Sequence, residues 1–415
     1  MARTPWLTTL AALVAAYLIW RRLHMRKRRP ARITPSGERV AILGASTEDG
    51  LGATFLQHYL ERGARQVVIV GRRRAALEAV REAVLRRVPT KHPDAVVHVF
   101  AADCTKTDDV IALRDFLLTE LHGLDTLQIV FGVTSILPIL GLASVDPLGV
   151  NARDAASPSD VHPTAEGLTS IADTVQHSCD GNIKGTAIVL GALVRAPLTQ
   201  IPVLQTTSAD PVVVGTGSVA GLIPAPTRAV YCATKSAQHY LLDSVALECE
   251  AQAGHTVPGT DKRRALVRFL IVAPGPIKNS FVKTYAVDSG SGPRDNRERA
   301  LDVHDVVRET LMAVDADHMG MLVLPRHVFW ASLLTKFVST YVPSAHLQTR
   351  AHWQDVPPTV SLLTGGILTL YMVVVTGRPV AAHLAVLAIA HRVAQQGPAA
   401  RRVTAAHAWR VAVSG

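Results

Sequence analysis

Cysteine and aromatic residues are scarce in this sequence. Four cysteines occur among 415 residues, Cys104, Cys179, Cys232 and Cys249, and their spacing is not paired. This argues against a disulfide framework and favours a reducing compartment. The histidines are scattered without the spacing of metal ligands, so the sequence predicts no metal site.

Acidic residues are also in the minority, which leaves a formal net charge of +10. A basic chain can bind nucleic acid, but no nucleic-acid motif accompanies this charge, and we predict no nucleic-acid partner. Residues 5–20 carry no charge, and Lys and Arg crowd residues 21–32 directly after them. An apolar run with a basic flank predicts an amino-terminal transmembrane anchor whose flank stays in the cytosol. A cleaved signal peptide or a mitochondrial targeting sequence is the alternative.

A strand, a glycine-rich turn and a helix follow the basic flank. Apolar residues 40–43 lead into Gly44, Ser46, Gly50, Leu51 and Gly52, and residues 55–60 have helical apolar spacing. Backbone N–H groups and the helix dipole favour a pyrophosphate at such a turn. We therefore predict that these five residues bind a dinucleotide.

The end of the second predicted strand indicates which dinucleotide is bound. The apolar run at residues 67–70 ends in Gly71, Arg72 and Arg73, and no carboxylate is present. An arginine at this position accommodates the 2′-phosphate of NADP, whereas an acidic residue selects NAD. We therefore predict NADP(H), held by Arg72 and Arg73; the alternative is that these arginines belong to a solvated helix start.

Ser218, Tyr231 and Lys235 have the spacing of a site that acts on a carbonyl. Tyr231 and Lys235 stand four residues apart at the start of a predicted helix, so their side chains leave the same face. An ammonium beside a phenol favours the phenolate and lowers a pKa that is ordinarily ~10. Ser218 follows the apolar run 211–214, a predicted buried strand, where its hydroxyl can meet the same substrate oxygen. A surface pair of Tyr and Lys is the alternative.

The string from Ser218 through Val219-Ala220-Gly221 to Tyr-x-x-x-Lys resembles the short-chain dehydrogenase/reductase family, and the resemblance extends over residues 38–345. It implies that Tyr231 is the general acid/base, that Lys235 binds the nicotinamide ribose, and that Ser218 steadies the substrate oxygen. It implies a fourth catalytic residue, Asn182. The fold it implies is an α/β fold, a Rossmann-type doubly wound parallel sheet covered by helices on both faces.

The same resemblance implies further contacts to the cofactor. Asp103, after the third predicted strand at residues 97–102, would contact the adenine ring. Gly132 would allow the close approach that the nicotinamide side needs, and Pro274 and Gly275 would close the nicotinamide pocket. Tyr231 and Lys235 would also contact the cofactor.

Two stretches depart from the family pattern. The glycine loop is two residues longer than Gly-x-x-x-Gly-x-Gly, and Glu48 and Asp49 lie in the insertion. Two carboxylates near a diphosphate would repel it unless they point outwards, and Asp49 is also a candidate cap for the next helix. The fourth predicted strand, residues 126–133, ends in Phe131-Gly132-Val133-Thr134 where the family usually has Asn-Asn-Ala-Gly.

The remaining segments predict accessory structure. Residues 146–166 lack apolar periodicity and predict a surface loop, and residues 281–299 fit a mobile substrate lid. Residues 265–272 and 321–324 predict strands around a helix at 302–315. The apolar stripe at 330–341 fits packing on the core, on a dimer mate, on a bilayer or on substrate. Residues 359–377 are long enough to cross a bilayer, and together with 380–390 they predict a membrane hairpin or re-entrant segment.

These patterns predict an anchor with a basic flank at 1–37, a catalytic domain at 38–350 and an apolar, membrane-associated tail at 351–415. The resemblance is strongest to the membrane-bound steroid and retinoid dehydrogenase branch. It implies an NADP(H)-dependent enzyme that interconverts a lipophilic ketone and a secondary alcohol at the endoplasmic reticulum membrane, facing the cytosol. A 3-ketodihydrosphingosine reductase of sphingolipid synthesis and a catalytically inactive membrane scaffold are the alternatives. Family members often form homodimers, which is expected here too.

Overall fold

The computed structural model describes residues 29–326 and 328, apart from 89–93, 144–161, 195–203, 205–206, 226–227, 258, 289–299 and 327. The chain divides into two units, Met1–Val323 and Leu324–Gly415, and nearly all described residues belong to the first. The anchor predicted at 5–20, the stripe at 330–341 and the apolar runs at 359–377 and 380–390 lie outside the described residues. Within the described ranges, no helix has the length and apolar character needed to span a bilayer.

A seven-stranded sheet with the order β3-β2-β1-β4-β5-β6-β7 forms the centre of the described structure. Its strands are β1 (Arg39–Leu43), β2 (Gln66–Gly71), β3 (Val96–Ala101), β4 (Thr126–Ile129), β5 (Val212–Thr216), β6 (Arg268–Pro274) and β7 (Gly320–Leu324). Strand β1 pairs in parallel with both β2 and β4, and the pairs β2–β3, β4–β5 and β5–β6 are parallel too. This confirms the predicted Rossmann-type sheet.

Helices connect the strands as crossover connections. They are α1 (Leu51–Arg62), α2 (Arg74–Arg87), α3 (Thr107–Thr119), α4 (Ile139–Leu142), α5 (Ala165–Cys179), α6 (Gly185–Val189), α7 (Ala229–Gln252), α8 (Phe281–Tyr285) and α9 (Val303–Asp315). The central strands are apolar and buried along nearly their whole length, as expected for a parallel sheet with both faces covered.

Strand β4 is shorter than predicted. It ends at Ile129 and not at residue 133, because the amides of Val130 and Phe131 both donate to the Leu43 carbonyl, each at 2.9 Å. Two donors on one acceptor turn the chain out of the ladder. The predicted loop at 146–166 is corrected at its end as well, since Thr164 caps α5 and Ala165 is already helical.

A network of ion pairs lies at the amino-terminal ends of the strands. Arg29 is 1% exposed and pairs with Glu38 just before β1. The Arg29 guanidinium also donates to the Thr126 hydroxyl at 2.9 Å and lies 3.6 Å from the Asp210 carboxylate. Asp210 in turn pairs with Arg268 at 2.9 Å. Arg29, from the predicted basic flank, thus contacts the residues just before β1 and β5 and the first residue of β4, and Asp210 links it to the first residue of β6.

Candidate active site

A cleft of about 560 Å³ opens at the carboxyl ends of the central strands. The strand order reverses between β1 and β4, and ligands of doubly wound sheets bind at such a reversal. The volume lies within the range of small-molecule sites. Most of the residues that the sequence assigned to catalysis or cofactor binding line this cleft.

Ser218 lies two residues beyond the end of β5 and faces the cleft. Its backbone amide donates to His239 Nε2 at 3.3 Å, and its hydroxyl accepts from the Ala220 amide at 3.1 Å. The His239 ring leaves no room for a side chain at Gly217 or Gly221, where a Cβ atom would come within 2.0 and 2.6 Å of it. The two glycines and His239 therefore hold the serine in place.

Tyr231 lies in the first turn of α7, as predicted, and its phenol meets the Ser218 hydroxyl in the cleft. Burial raises the pKa of Tyr231, although the hydrogen bond with Ser218 and the positive charge of Arg228 both lower it. The sequence predicted a lowered pKa through Lys235. The direction is the opposite, because desolvation of the phenolate outweighs the nearby favourable groups.

Lys235 is 3% exposed and reaches the cleft from one turn further along α7. Its ammonium lies 6.0 Å from the centre of the Tyr231 ring. It donates to the Thr216 carbonyl at 3.1 Å and to the Gln238 side-chain carbonyl at 2.8 Å. Burial lowers the pKa of Lys235 to about 8, because the charged form is desolvated.

Asn182 lies behind the cleft wall and does not line it. It is 0% exposed, in a π-helical turn between α5 and α6, and its side-chain amide pairs with the Val133 backbone N–H and C=O at 2.9 and 3.0 Å. The backbone carbonyl of Asn182 accepts from the Thr186 hydroxyl at 2.9 Å. Gln238 donates to that hydroxyl at 3.0 Å, so hydrogen bonds connect Asn182 to Lys235 through Thr186 and Gln238.

The glycines at the other end of the cleft fit a pyrophosphate cradle. Gly44 has φ 104°, and a Cβ atom there would lie 2.5 Å from the Phe131 amide nitrogen. Gly50 is the N-cap of α1 without a side-chain cap bond, which leaves the first-turn amides directed at the cleft. Gly52 does not line the cleft; a Cβ atom there would lie 2.5 Å from the Gly44 carbonyl, so this glycine allows α1 to pack tightly on the turn.

The two additional carboxylates of the glycine loop point away from the cleft. Glu48 pairs with Arg87 at 3.2 Å on the exposed surface. Asp49 accepts from the backbone N–H and the hydroxyl of Ser280, both at 2.7 Å. The sequence suggested that Asp49 caps α1. It does not, because its carboxylate binds Ser280. Neither carboxylate lines the cleft.

The remaining predicted cofactor residues surround the same cleft. Its lining includes Ser46, Leu51, Arg72, Arg73, Asp103, Gly132, Pro274 and Gly275. Burial raises the pKa of Asp103, but hydrogen bonds from Thr105 and the charge of Arg72 outweigh it and hold the pKa below its ordinary value. In the described part of the chain, no group of three or more His, Cys, Asp or Glu side chains is placed to hold a metal ion.

Sequence reasoning missed several side chains of this site. Arg228 lines the cleft three residues before Tyr231, and Gln238 binds Lys235 three residues after it. Helical spacing around the tyrosine and lysine could have found both. The Thr47 and Tyr285 hydroxyls meet at 2.6 Å across the cleft lining, and this long-range contact has no local signal in the sequence.

Comparison with known proteins supports the fold. No protein-family model matches the chain, and no curated protein matches it. Among solved structures, a short-chain dehydrogenase/reductase from Burkholderia phymatum in complex with NAD is 16% identical and has a TM-score of 0.53, with 74% of this chain and 96% of that chain covered. A short-chain dehydrogenase from Streptomyces avermitilis is 16% identical and has a TM-score of 0.51. The match covers 75% of this chain and 98% of that chain. The described structure therefore has the fold of the short-chain dehydrogenases.

Proposed function

We propose that this chain is an NADP(H)-dependent oxidoreductase of the short-chain dehydrogenase/reductase family that interconverts a ketone and a secondary alcohol. One observation carries the proposal: the Ser218 and Tyr231 hydroxyls meet in an open cleft, and the buried Lys235 lies one helical turn behind them. Two hydroxyls converging beside a buried ammonium suit a carbonyl oxygen that gains or loses a proton.

The chain's own residues account for the proton transfer. Ser218 and Tyr231 bind the substrate oxygen, and Tyr231 gives its phenolic proton to that oxygen during reduction. A bound reduced nicotinamide supplies the hydride to the carbonyl carbon. The phenolate that remains on Tyr231 is stabilised by the positive charges of Lys235 and Arg228. In the alcohol-to-ketone direction, Tyr231 removes the proton instead.

NADP(H) is the proposed cofactor because the carboxyl end of β2 presents cations. Arg72 and Arg73 are exposed at the cleft, where a carboxylate would otherwise select NAD. The Burkholderia phymatum structure contains NAD, so the proposed preference for NADP(H) rests on these two side chains and not on the fold.

We further propose a lipophilic substrate and a membrane location, at the endoplasmic reticulum with the catalytic domain facing the cytosol. Apolar side chains on the substrate side of the cleft, such as Val219, Ile223 and Val282, favour a lipophilic group. The uncharged runs at 5–20 and 359–377 favour a membrane. A steroid- or retinoid-like ketone is the first candidate, and a 3-ketodihydrosphingosine-like ketone is the second.

A homodimer is proposed through α5 and α7. Four large apolar side chains on these two helices are exposed, Leu168, Val175, Tyr240 and Leu247, and the last two are 71% and 67% exposed. Apolar side chains on paired helices favour burial against a second copy.

The rate of ketone reduction, measured with NADPH and with NADH, tests the proposal. Detergent-solubilised protein is mixed with a panel of lipophilic ketones and either NADPH or NADH, and nucleotide absorbance is followed. We expect NADPH-dependent reduction that falls at least ~10³-fold in Tyr231→Phe, because the proton donor is lost. Arg72→Ser with Arg73→Ser should raise the KM for NADPH at least ~10-fold and leave that for NADH nearly unchanged.

The opposite results have equally direct meanings. NADPH binding without reduction of any ketone, or reduction that persists in Tyr231→Phe, would contradict the assigned chemistry. Failure to bind either nucleotide at millimolar concentration would favour a membrane scaffold with a reductase fold.

A further inference from the structure

Arg228 places a positive charge, without a carboxylate partner among the described residues, at the substrate end of the cleft. The described residues that line the cleft include four cations, Arg72, Arg73, Arg228 and Lys235, and a single carboxylate, Asp103. Arg72 and Arg73 follow β2, whereas Arg228 and Lys235 are on α7 after β5. Strands β2 and β5 are three strand spacings apart, roughly 14 Å. Arg228 is therefore remote from the end assigned to the adenosine phosphate.

The Arg228 guanidinium retains most of its hydrogen-bonding capacity. One of its five donors binds the Thr134 hydroxyl at 3.2 Å, and it forms no ion pair with a carboxylate in the described part of the chain. Although Arg228 is the N-cap of α7, its side chain makes no cap bond. The Thr134 contact holds the guanidinium against the inner wall, where the bridge between Thr134 and Ala286 forms part of the framework. A partly buried cation held in this way is ready to bind an anion.

Apolar side chains line the cleft beyond the ends of β4, β5 and β6. They are Val133, Val219, Ile223, Pro224, Phe281 and Val282. A cation beside an apolar wall matches a ligand that is apolar along its length and carries one negative charge. Arg228 immediately precedes the helix that carries Tyr231, and its charge is close enough to Tyr231 to act on the phenol. The anion and the reacting carbonyl can therefore belong to one molecule.

We propose that Arg228 binds the carboxylate of the substrate and that the substrate is an amphipathic oxo acid, whose ketone meets Ser218 and Tyr231. The proposal rests on the proposed function and narrows its lipophilic ketone to an anionic one. In the balanced reaction, the oxo acid, NADPH and one proton give the hydroxy acid and NADP⁺. The proton reaches the substrate oxygen from Tyr231.

Arg228 also lowers the pKa of Tyr231, and the test must separate this effect from substrate binding. An effect through Tyr231 changes the reduction of every ketone by one common factor. Binding of a carboxylate changes only the acid. The ratio of kcat/KM for an oxo acid to that for its methyl ester cancels the common factor.

The experiment measures this ratio for 3-oxo-, 4-oxo- and 5-oxodecanoate against their methyl esters, with the full-length chain and NADPH. In the wild type we expect the preferred acid to exceed its ester about 10- to 100-fold, the effect of one charge-assisted pair. Arg228→Met keeps the apolar stem and should bring the ratio close to 1, and Arg228→Lys should keep part of the preference. Lys283→Met is the matched control, since it removes an equal charge from α8 outside the cleft lining; its ratio should equal that of the wild type.

A ratio near 1 in the wild type, or one that Arg228→Met leaves unchanged, overturns the proposal. If neither acid nor ester is reduced, the proposed oxidoreductase function fails, and calorimetric binding of the same pairs decides the anion site separately. Tighter binding of the acid that disappears in Arg228→Met would uphold the carboxylate site. Equal binding of acid and ester, or no binding of either, would overturn it.

Discussion

At the scale of single residues, the charge of Lys235 depends on two acceptors, the Thr216 carbonyl and the Gln238 side chain. Burial lowers the pKa of Lys235 to about 8, so the ammonium is lost as the pH rises through that value. The neutral amine cannot stabilise the Tyr231 phenolate. We therefore expect kcat/KM for reduction to fall above pH 8.

Gln238 should set the pH at which kcat/KM falls, the alkaline limb of the pH profile. Gln238→Leu removes an acceptor from the ammonium, which lowers the pKa of Lys235 and moves the limb to lower pH by about 1–2 units, the value of one hydrogen bond to a charged group. Gln238→Glu adds a negative charge and should move the limb to higher pH. The measurement is the pH profile of kcat/KM for both variants. A uniform loss of rate with an unshifted limb would mean that Gln238 only supports packing.

The residues that sequence analysis identified are those whose function depends on local spacing. Ser218, Tyr231 and Lys235 follow one strand and share one helix, so distance along the chain fixes their geometry. Asp49 was misassigned as a helix cap because its partner, Ser280, is remote in sequence. Such contacts depend on tertiary packing, which local patterns do not encode.

At the scale of elements, the lengthened glycine loop is tied to α8 at two points. Asp49 binds Ser280, and the Thr47 hydroxyl meets that of Tyr285 at 2.6 Å. Thr47 and Tyr285 both line the cleft, so these contacts join its dinucleotide side to its substrate side. Thr47 and Asp49 therefore connect the cofactor loop to α8, at the start of the segment that the sequence assigned to a substrate lid.

Breaking this connection should speed the release of cofactor. We expect Asp49→Ala to raise the dissociation rate of NADPH about 10-fold, because two hydrogen bonds to a carboxylate that close the loop are lost. Stopped-flow fluorescence of bound NADPH measures the rate. Glu48→Ala is the matched control, since Glu48 pairs with Arg87 outside the cleft, and its rate should stay at the wild-type value. A lower unfolding temperature in Asp49→Ala with an unchanged dissociation rate would show a structural contact only.

The strands were predictable from sequence because each is a separate apolar run ending at a turn signal, and their doubly wound arrangement was implied by the family resemblance. The bounds were less predictable. Residue 133 was included in β4 because Val130 and Val133 are as apolar as the strand itself. The structure ends the strand at Ile129, where the Leu43 carbonyl takes two amide donors. Hydrogen bonding between strands, which hydrophobic pattern does not report, decides this boundary.

At the scale of the whole molecule, the segment that follows the predicted anchor is part of the folded unit. Arg29 lies within the predicted basic flank, yet its side chain is buried against Glu38, Thr126 and Asp210. Arg32 adds a contact to Asp210 at 3.1 Å. These charges link Arg29 and Arg32 to the amino-terminal ends of the strands.

A buried charge whose partner is removed is costly, whereas removal of both charges is cheaper. We therefore expect Arg29→Met to lower the free energy of unfolding by about 3–5 kcal/mol, because the Glu38 carboxylate loses its cation in a buried position. Glu38→Met should cost a similar amount. The double variant Arg29→Met/Glu38→Met should be more stable than either single variant, since no unpaired charge remains between these positions. Urea unfolding of the wild type, the two single variants and the double variant, all in the same detergent, measures the four free energies of unfolding. Additive losses in the double variant would mean that the two side chains contribute independently, and that residues 29–37 are joined to the sheet by packing and not by this ion pair.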